Sequence, residues 1–206
     1  MTMTIAEELA KEPCLVYRHT VDDYEQMLKT GVIEEGAPFE LLDGQIVRKI
    51  RNAMGQDPMT IGTRHTIVVT RLGDLNVKLK RLGCYIRTQN PLNLAPNDMP
   101  EPDGAIVRGV DVDYADAHPS AKDILCVIEI SDASIRRDRG YKLQLYARNG
   151  IPMYVIVNLL NDTVEVRTEP SKGRYARTVI LKIGQKLKLP TTAGKTLSVP
   201  IRQLLP

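Results

Sequence analysis

The run Ile124-Leu125-Cys126-Val127-Ile128-Glu129-Ile130 limits the possible folds of this chain more than any other stretch. It is apolar at every position but one, with no period of two that would divide a wet face from a dry one. Such a run reads as a central strand covered on both faces. A segment of helical spacing follows, from about Asp138 to Arg148, and Asn149-Gly150 ends it. A second buried strand, MYVIVNL, comes next. Strand, helix and strand in that order predict a right-handed parallel crossover. The expected fold class is therefore mixed α/β (α+β), with a central mixed sheet flanked by helices.

The other segments fit around that unit. Thr20 followed by Val21, Asp22 and Asp23 predicts an N-cap with acids in the first turn, and a short helix running to about Lys29 and stopping at Gly31. Asp43-Gly44 within FELLDGQIVRKI predicts a hairpin, and RNAMGQDP a loop. Between Thr60 and Arg81, Ile61, Val68, Leu72, Leu75, Leu79 and Leu82 recur at helical steps, and Gly83 ends the helix. Arg71, Lys78, Lys80 and Arg81 fall on its other face, which reads as solvated. Strands are expected from Cys84 to Gln89 and from Gly104 to Val107. VEVRTE, YARTVILKI, KLKLP and TLSVP read as short antiparallel strands, with a turn at Asn161-Asp162.

Composition narrows the setting. A length of 206 residues suits one domain, 1–206, with residues 1–13 a flexible arm and 14–206 the folded body. No stretch approaches the roughly 18 apolar residues of a membrane helix. The N-terminus lacks a signal-peptide pattern, so a cytoplasmic location is expected. Cys14, Cys84 and Cys126 are scattered, which argues against a disulfide framework or a zinc site and makes Cys84 and Cys126 core residues. The net charge of +3 is weak, but its distribution is uneven. Acids crowd Asp98 to Asp123, and bases crowd Arg136 to Arg148 and Lys172 to Lys188. With one Phe and no Trp, the stacking platforms of single-strand binding modules are poorly supplied.

Glu129 is the most informative side chain. A carboxylate in a buried strand is costly unless it is paired or binds a metal. It sits either at the strand end beside an arginine or in a functional site. Pro102-Asp103-Gly104 alone suits a turn. It also leads into a strand that can neighbour the Glu129 strand. Carboxylates on adjacent strand ends can share a hard cation, with the Ile130 carbonyl as a third oxygen. Lys142 shares a helix face with Asp138 and Tyr146 at steps of four. It is either an exposed lysine paired with Asp138 or an ammonium beside the metal, orienting water and stabilising negative charge. Arg136, Arg137 and Arg139 form a solvated loop or a phosphate-neutralising flank. Glu40 is an exposed strand residue or a fourth acid of the site. His65, alone on the long helix, reads more readily as a packed or exposed histidine than as a catalytic one. There is no Walker loop, GxSxG elbow, histidine-rich metal box or dinucleotide glycine spacing.

Taken in order, FELLDGQIV, the helix carrying His65, EPDGAIV, LCVIEIS and RRDRGYKLQLYARNGIPMYVIV resemble a large bacterial family of endonuclease type. That family was long catalogued as a domain of unknown function, is abundant in cyanobacteria, and belongs to the restriction-endonuclease-like PD-(D/E)XK superfamily. The resemblance spans about residues 20–190 and is most specific from Asp103 to Val157. It implies that Asp103 and Glu129 are the superfamily's two acids and that Glu40 matches an early family glutamate. Tyr146 corresponds more weakly to a tyrosine in the same helix of related nucleases. The usual lysine, two residues after the second acid, would fall on Ser131. The resemblance places it on the following helix instead, at Lys142. The implied activity is Mg²⁺- or Mn²⁺-dependent hydrolysis of phosphodiester bonds in DNA, by a homodimer or higher homo-oligomer. Arg136, Arg137, Arg139, Tyr146 and His65 are the expected nucleic-acid contacts. Ser131 and the modest charge motivate the competing reading, a nuclease fold that binds nucleic acid or a protein partner without cutting.

Overall fold

A computed structural model of the chain describes residues 9, 11–12, 16–34, 36–49, 62–132, 134–192 and 194–206. Cys14, the loop RNAMGQDP, Thr60, Ile61 and most of the expected N-terminal arm lie outside the described residues.

Helix α1 (Val21–Lys29) begins on the expected cap. Thr20 Oγ1 accepts from the Asp23 N–H at 3.1 Å, and the Asp23 carboxylate accepts from the Thr20 N–H at 2.9 Å. Strands β1 (Phe39–Leu42) and β2 (Gln45–Arg48) form the expected hairpin. Asp43 and Gly44 take φ values of 53° and 73°, the left-handed pair that a type I′ turn demands. The buried Asp98 carboxylate holds this hairpin in place. It accepts from the Asp43 N–H at 2.6 Å, from Arg148 at 2.8 Å and from Asn149 at 3.0 Å. Leu41 and Met99 also exchange backbone hydrogen bonds of 3.4 and 2.7 Å. Together these ties carry Glu40 to the site described below.

The expected long helix is two helices, α2 (Thr63–Asp74) and α3 (Asn76–Lys80), separated at Leu75. There the Leu75 N–H bonds back to the Leu72 carbonyl at 3.1 Å, a tightened three-residue step. Gly73, a poor helix former, lies just before the break. The apolar face survives it: Val68, Leu72, Leu75 and Leu79 are all buried. On the opposite face Lys78, Lys80 and Arg81 are exposed, but Arg71 is partly buried and donates to the Leu204 carbonyl.

Then come β3 (Cys84–Arg87), β4 (Gly104–Arg108), β5 (Ile124–Ser131), α4 (Ile135–Arg139), α5 (Tyr141–Arg148), β6 (Met153–Asn158), β7 (Thr163–Ser171) and β8 (Arg174–Leu181). The six strands form one sheet in the order β3-β4-β5-β6-β7-β8. Only β5 and β6 run parallel, and the other neighbours are antiparallel. All eight residues of β5 are buried, as its apolar run requires. A second hairpin, β9 (Lys186–Pro190) with β10 (Thr196–Pro200), leads into the short helix α6 (Ile201–Leu204).

Period-two alternation assigns the two faces of the sheet. Cys126, Ile128 and Ile130 pack with Val68, Leu72, Leu79, Leu187 and Leu189. Val127 packs with Leu145, Tyr146, Tyr154 and Ile156 on the side of α5. Glu129 falls on this second face. The helix expected from Asp138 to Arg148 is in fact α4 followed by α5, with Gly140 at the junction. A Cβ there would lie 2.7 Å from the Arg136 carbonyl oxygen, so the chain can turn here only at glycine. Cys84 and Cys126 are free and fully buried, as expected of core thiols. No helix among the described residues is long and apolar enough to cross a membrane.

Candidate active site

Glu129 shows how the chain satisfies a carboxylate in its central strand. It is 5% exposed. Its Oε1 accepts a hydrogen bond from the Tyr146 hydroxyl at 2.8 Å and one from Lys142 Nζ at 3.0 Å. Both donors sit on α5, one turn apart, so the helix facing the strand supplies them together. The Lys142 ammonium also lies 3.4 Å from Glu40 Oε2. Glu40 in turn accepts from the Glu101 N–H at 3.2 Å. Lys142 is thus a buried cation between two buried acids, not the exposed partner of Asp138 that the plainest reading of its helix gives.

Asp103 lies just outside β4, past the Gly104–Ile128 pair. Its Oδ2 accepts from the Ile130 N–H at 2.8 Å. In an extended strand a residue's N–H and C=O leave on the same side. The Ile130 carbonyl therefore faces the Asp103 side. His65 Nε2, from α2, lies 3.1 Å from Asp103 Oδ1.

Asp138 is the member of this neighbourhood whose role the sequence did not reveal. It is 3% exposed and accepts from the hydroxyls of Ser134, at 2.5 Å, and Ser131. Its spacing of four from Lys142 was the available signal, but that spacing suggested an ion pair. Through Asp138, the Ser131 hydroxyl ties the end of β5 to α4.

Arg139 is drawn to a different acid, on β7. Arg139 donates through Nε to Glu165 Oε1 at 2.9 Å. Arg136 is exposed and Arg137 partly buried on the same short helix. Tyr146 is fully buried, so its hydroxyl serves Glu129 and its ring meets Tyr154 instead of solvent.

The electrostatics follow from the count of charges. Glu129, Glu40 and Asp138 act on the Lys142 ammonium, and Asp103 adds its negative charge to the field at Glu129. Burial pushes the Glu129 carboxyl up to about 8; Lys142 pulls it down, while Asp103, Asp138 and Glu40 add to the rise. Burial likewise raises Asp138, against the pull of its two serine hydrogen bonds. Burial opposes the charged form of Lys142, but Glu129, Glu40 and Asp138 outweigh it and hold the ammonium well above its usual range. The cluster therefore carries more negative charge than Lys142 can balance, and takes up a proton or a cation. Its donors are hard oxygens, the set that suits Mg²⁺ or Mn²⁺. Among the described residues no three His, Cys, Asp or Glu side chains form a complete metal cage. A cation here would rest on two carboxylates, a carbonyl and water, and the residues present fit that arrangement.

A pH dependence follows for the metal-free protein. Below about pH 4 both folded and unfolded chains hold the Glu129 proton. Between there and about 8 only the folded chain does, so folded stability falls as pH rises. Glu129→Gln is expected to flatten this slope, removing a stability difference on the order of a few kcal/mol between pH 5 and pH 8. Chemical denaturation at pH 5 and pH 8 checks it, and parallel slopes for wild type and variant would refute it.

Comparison with known proteins agrees with this architecture. Residues 21–202 match the model of the Uma2 family, described as "Putative restriction endonuclease". Among solved structures, the chain is similar to the crystal structure of a "putative nuclease belonging to DUF820" from Anabaena variabilis. The two share 14% identity over 90% of this chain and 96% of that one, with a TM-score of 0.64, a likeness of fold. No curated protein matches the chain. With the match running over nearly its whole length, the chain belongs to the Uma2 family.

Proposed function

We propose that the protein is a Mg²⁺- or Mn²⁺-dependent endonuclease that hydrolyses phosphodiester bonds in DNA. The observation that carries this reading is the buried Lys142 ammonium, 3.0 Å from Glu129 Oε1. It supplies from α5 the cation that a lysine at position 131 would have supplied from β5. Asp103, Glu129 and the Ile130 carbonyl are the residues that would hold the metal. When bound, such an ion polarises a phosphoryl oxygen and lowers the pKa of a water it holds.

The chain's own groups do the rest. Lys142 stays protonated, orients the attacking water and stabilises the negative charge that develops on the phosphate. Glu40 holds the ammonium from the other side. Tyr146 keeps the Glu129 carboxylate in one orientation, and its phenol, raised well above its usual range by burial, stays a neutral donor. His65 steadies Asp103. Arg136 and Arg137, on the short helix beyond Ser131, neutralise substrate phosphates. Cutting both strands of a duplex calls for two such sites, which a homodimer supplies.

Incubation of the protein with supercoiled, linear and single-stranded DNA in Mn²⁺ tests the reading. Nicking that EDTA stops and that Glu129→Gln removes is the expected result. Binding without cleavage under Mg²⁺ and Mn²⁺ would leave a nucleic-acid-binding module in its place.

A further inference from the structure

A basic pocket lies on the far side of α5 from Glu129. It has a volume of about 520 Å³ and takes Gln144 from α5, Arg139 from α4, and Arg167, Lys172, Arg174 and Tyr175 from β7, β8 and their turn. Four of these six side chains are cationic. One buried acid stands beneath them, Glu165, 2% exposed, and Arg139 and Arg167 already neutralise it. Burial would raise its carboxyl, but the two arginines outweigh that and hold it below the usual range. Among the described residues, Lys172 and Arg174 make no ion pair, and the buried Arg167 Nε has no hydrogen-bond partner. The turn is tight: Lys172 and Gly173 both take left-handed backbone, at φ 47° and 75°. A concave site with surplus positive charge and an unused buried N–H is built for an anion. Planar guanidinium groups favour phosphate oxygens in particular.

We infer that this pocket binds a backbone phosphate of a nucleic-acid strand, away from the scissile one. The inference rests on the nuclease reading for its choice of polymer, and it gives Arg139, turned away from the acids, a substrate contact. Neighbouring residues of α5 serve the two sites: Lys142 faces Glu129, and Gln144 lines the pocket. A strand crossing the helix would therefore meet both. Arg167 and Arg139 give the phosphate its fixed donors, while Lys172 and Arg174 are the free charges.

Fluorescence anisotropy of a labelled oligonucleotide in EDTA, over a range of salt, reads the binding without cleavage. Lys172→Asn with Arg174→Gln is the informative pair, since asparagine tolerates the left-handed backbone at position 172. Each neutralised phosphate contributes about 1 to the salt slope, so the slope of the double variant is expected to fall by up to about 1, with roughly tenfold weaker binding at low salt. Lys186→Gln with Lys188→Gln removes the same charge from exposed positions on β9 and is expected to leave the slope unchanged. Arg174→Glu is expected to weaken binding further, with an unchanged melting temperature. Excess inorganic phosphate is expected to compete only weakly, since it engages one site where the polymer engages many. If the pocket variants bind with the wild-type slope, or weaken no more than the β9 pair, the inference is overturned while cleavage can still stand. If the slope falls as expected but DNA is never cut, the pocket stands and the nuclease reading fails. Tight competition by free phosphate would also overturn it, pointing to a small-anion site.

Discussion

Replacing Lys142 with methionine is expected to slow DNA cleavage by about 10²–10³-fold, the loss typical when one preorganised donor to a developing negative charge is removed. Methionine keeps most of the side chain's volume, so the packing of α5 against β5 survives. What disappears is the one ammonium between Glu129 and Glu40. Two buried carboxylates then face each other without a cation, a situation that costs about 3–5 kcal/mol if both stay charged. They need not both stay charged: Glu129, already pushed up to about 8, takes a proton instead. The stability loss should therefore be large at pH 8 and small at pH 5. Mn²⁺ should stabilise the variant at least as much as wild type, because an added cation replaces the missing one. Thermal melts with and without Mn²⁺, beside single-turnover cleavage, separate these effects. A variant that still cuts at the wild-type rate would remove Lys142 from the chemistry.

Asp103→Asn carries the second large effect, on metal affinity. Asparagine can keep the hydrogen bond from Ile130 N–H through its carbonyl oxygen, so the junction between β4 and β5 is preserved and the melting temperature should move little. The negative charge is gone. Removing an outer partner of a metal ligand already costs about 10–100-fold in affinity, so a direct ligand is expected to cost about a hundredfold or more. Titration calorimetry with Mn²⁺ reads this directly. His65→Ala should lie between this variant and wild type, since His65 touches Asp103 and not the other oxygens. Equal Mn²⁺ affinity in wild type and Asp103→Asn would place the metal elsewhere.

The parts of this fold that the sequence announced are those where one local rule dominates. Eight consecutive buried residues leave a strand no freedom but the sheet centre, and β5 is there. Asp43-Gly44 and the Thr20 box are short-range chemistry that tertiary packing has no reason to override. The interruptions were not legible, because they depend on what lies across the fold. Gly140 reads as an ordinary residue until the Arg136 carbonyl is seen in the space its side chain would fill. The break at Leu75 leaves the apolar period intact, so periodicity alone cannot report it.

The site divides along the same line. Glu129 stood out because a buried-strand acid must have a partner, and which partner was a question of space. That α5 delivers Lys142 and Tyr146 to one carboxylate oxygen is a fact of crossover geometry. Glu40 arrives from a hairpin far earlier in the chain, through ties at Met99 and Asp98 that no spacing encodes. Arg139 was grouped with the acids by proximity in sequence, and the buried Glu165 on β7 draws it away.

On the proposed reading, Asp103, Glu129 and the Ile130 carbonyl hold a divalent cation beside Lys142. Anomalous diffraction from crystals of the protein soaked in Mn²⁺ tests it most directly. One strong peak is expected within about 2.5 Å of those three oxygens and absent from Asp103→Asn crystals. A peak at another site, or none at saturating Mn²⁺, would contradict the account and leave the buried acids as a structural ion cluster around Lys142.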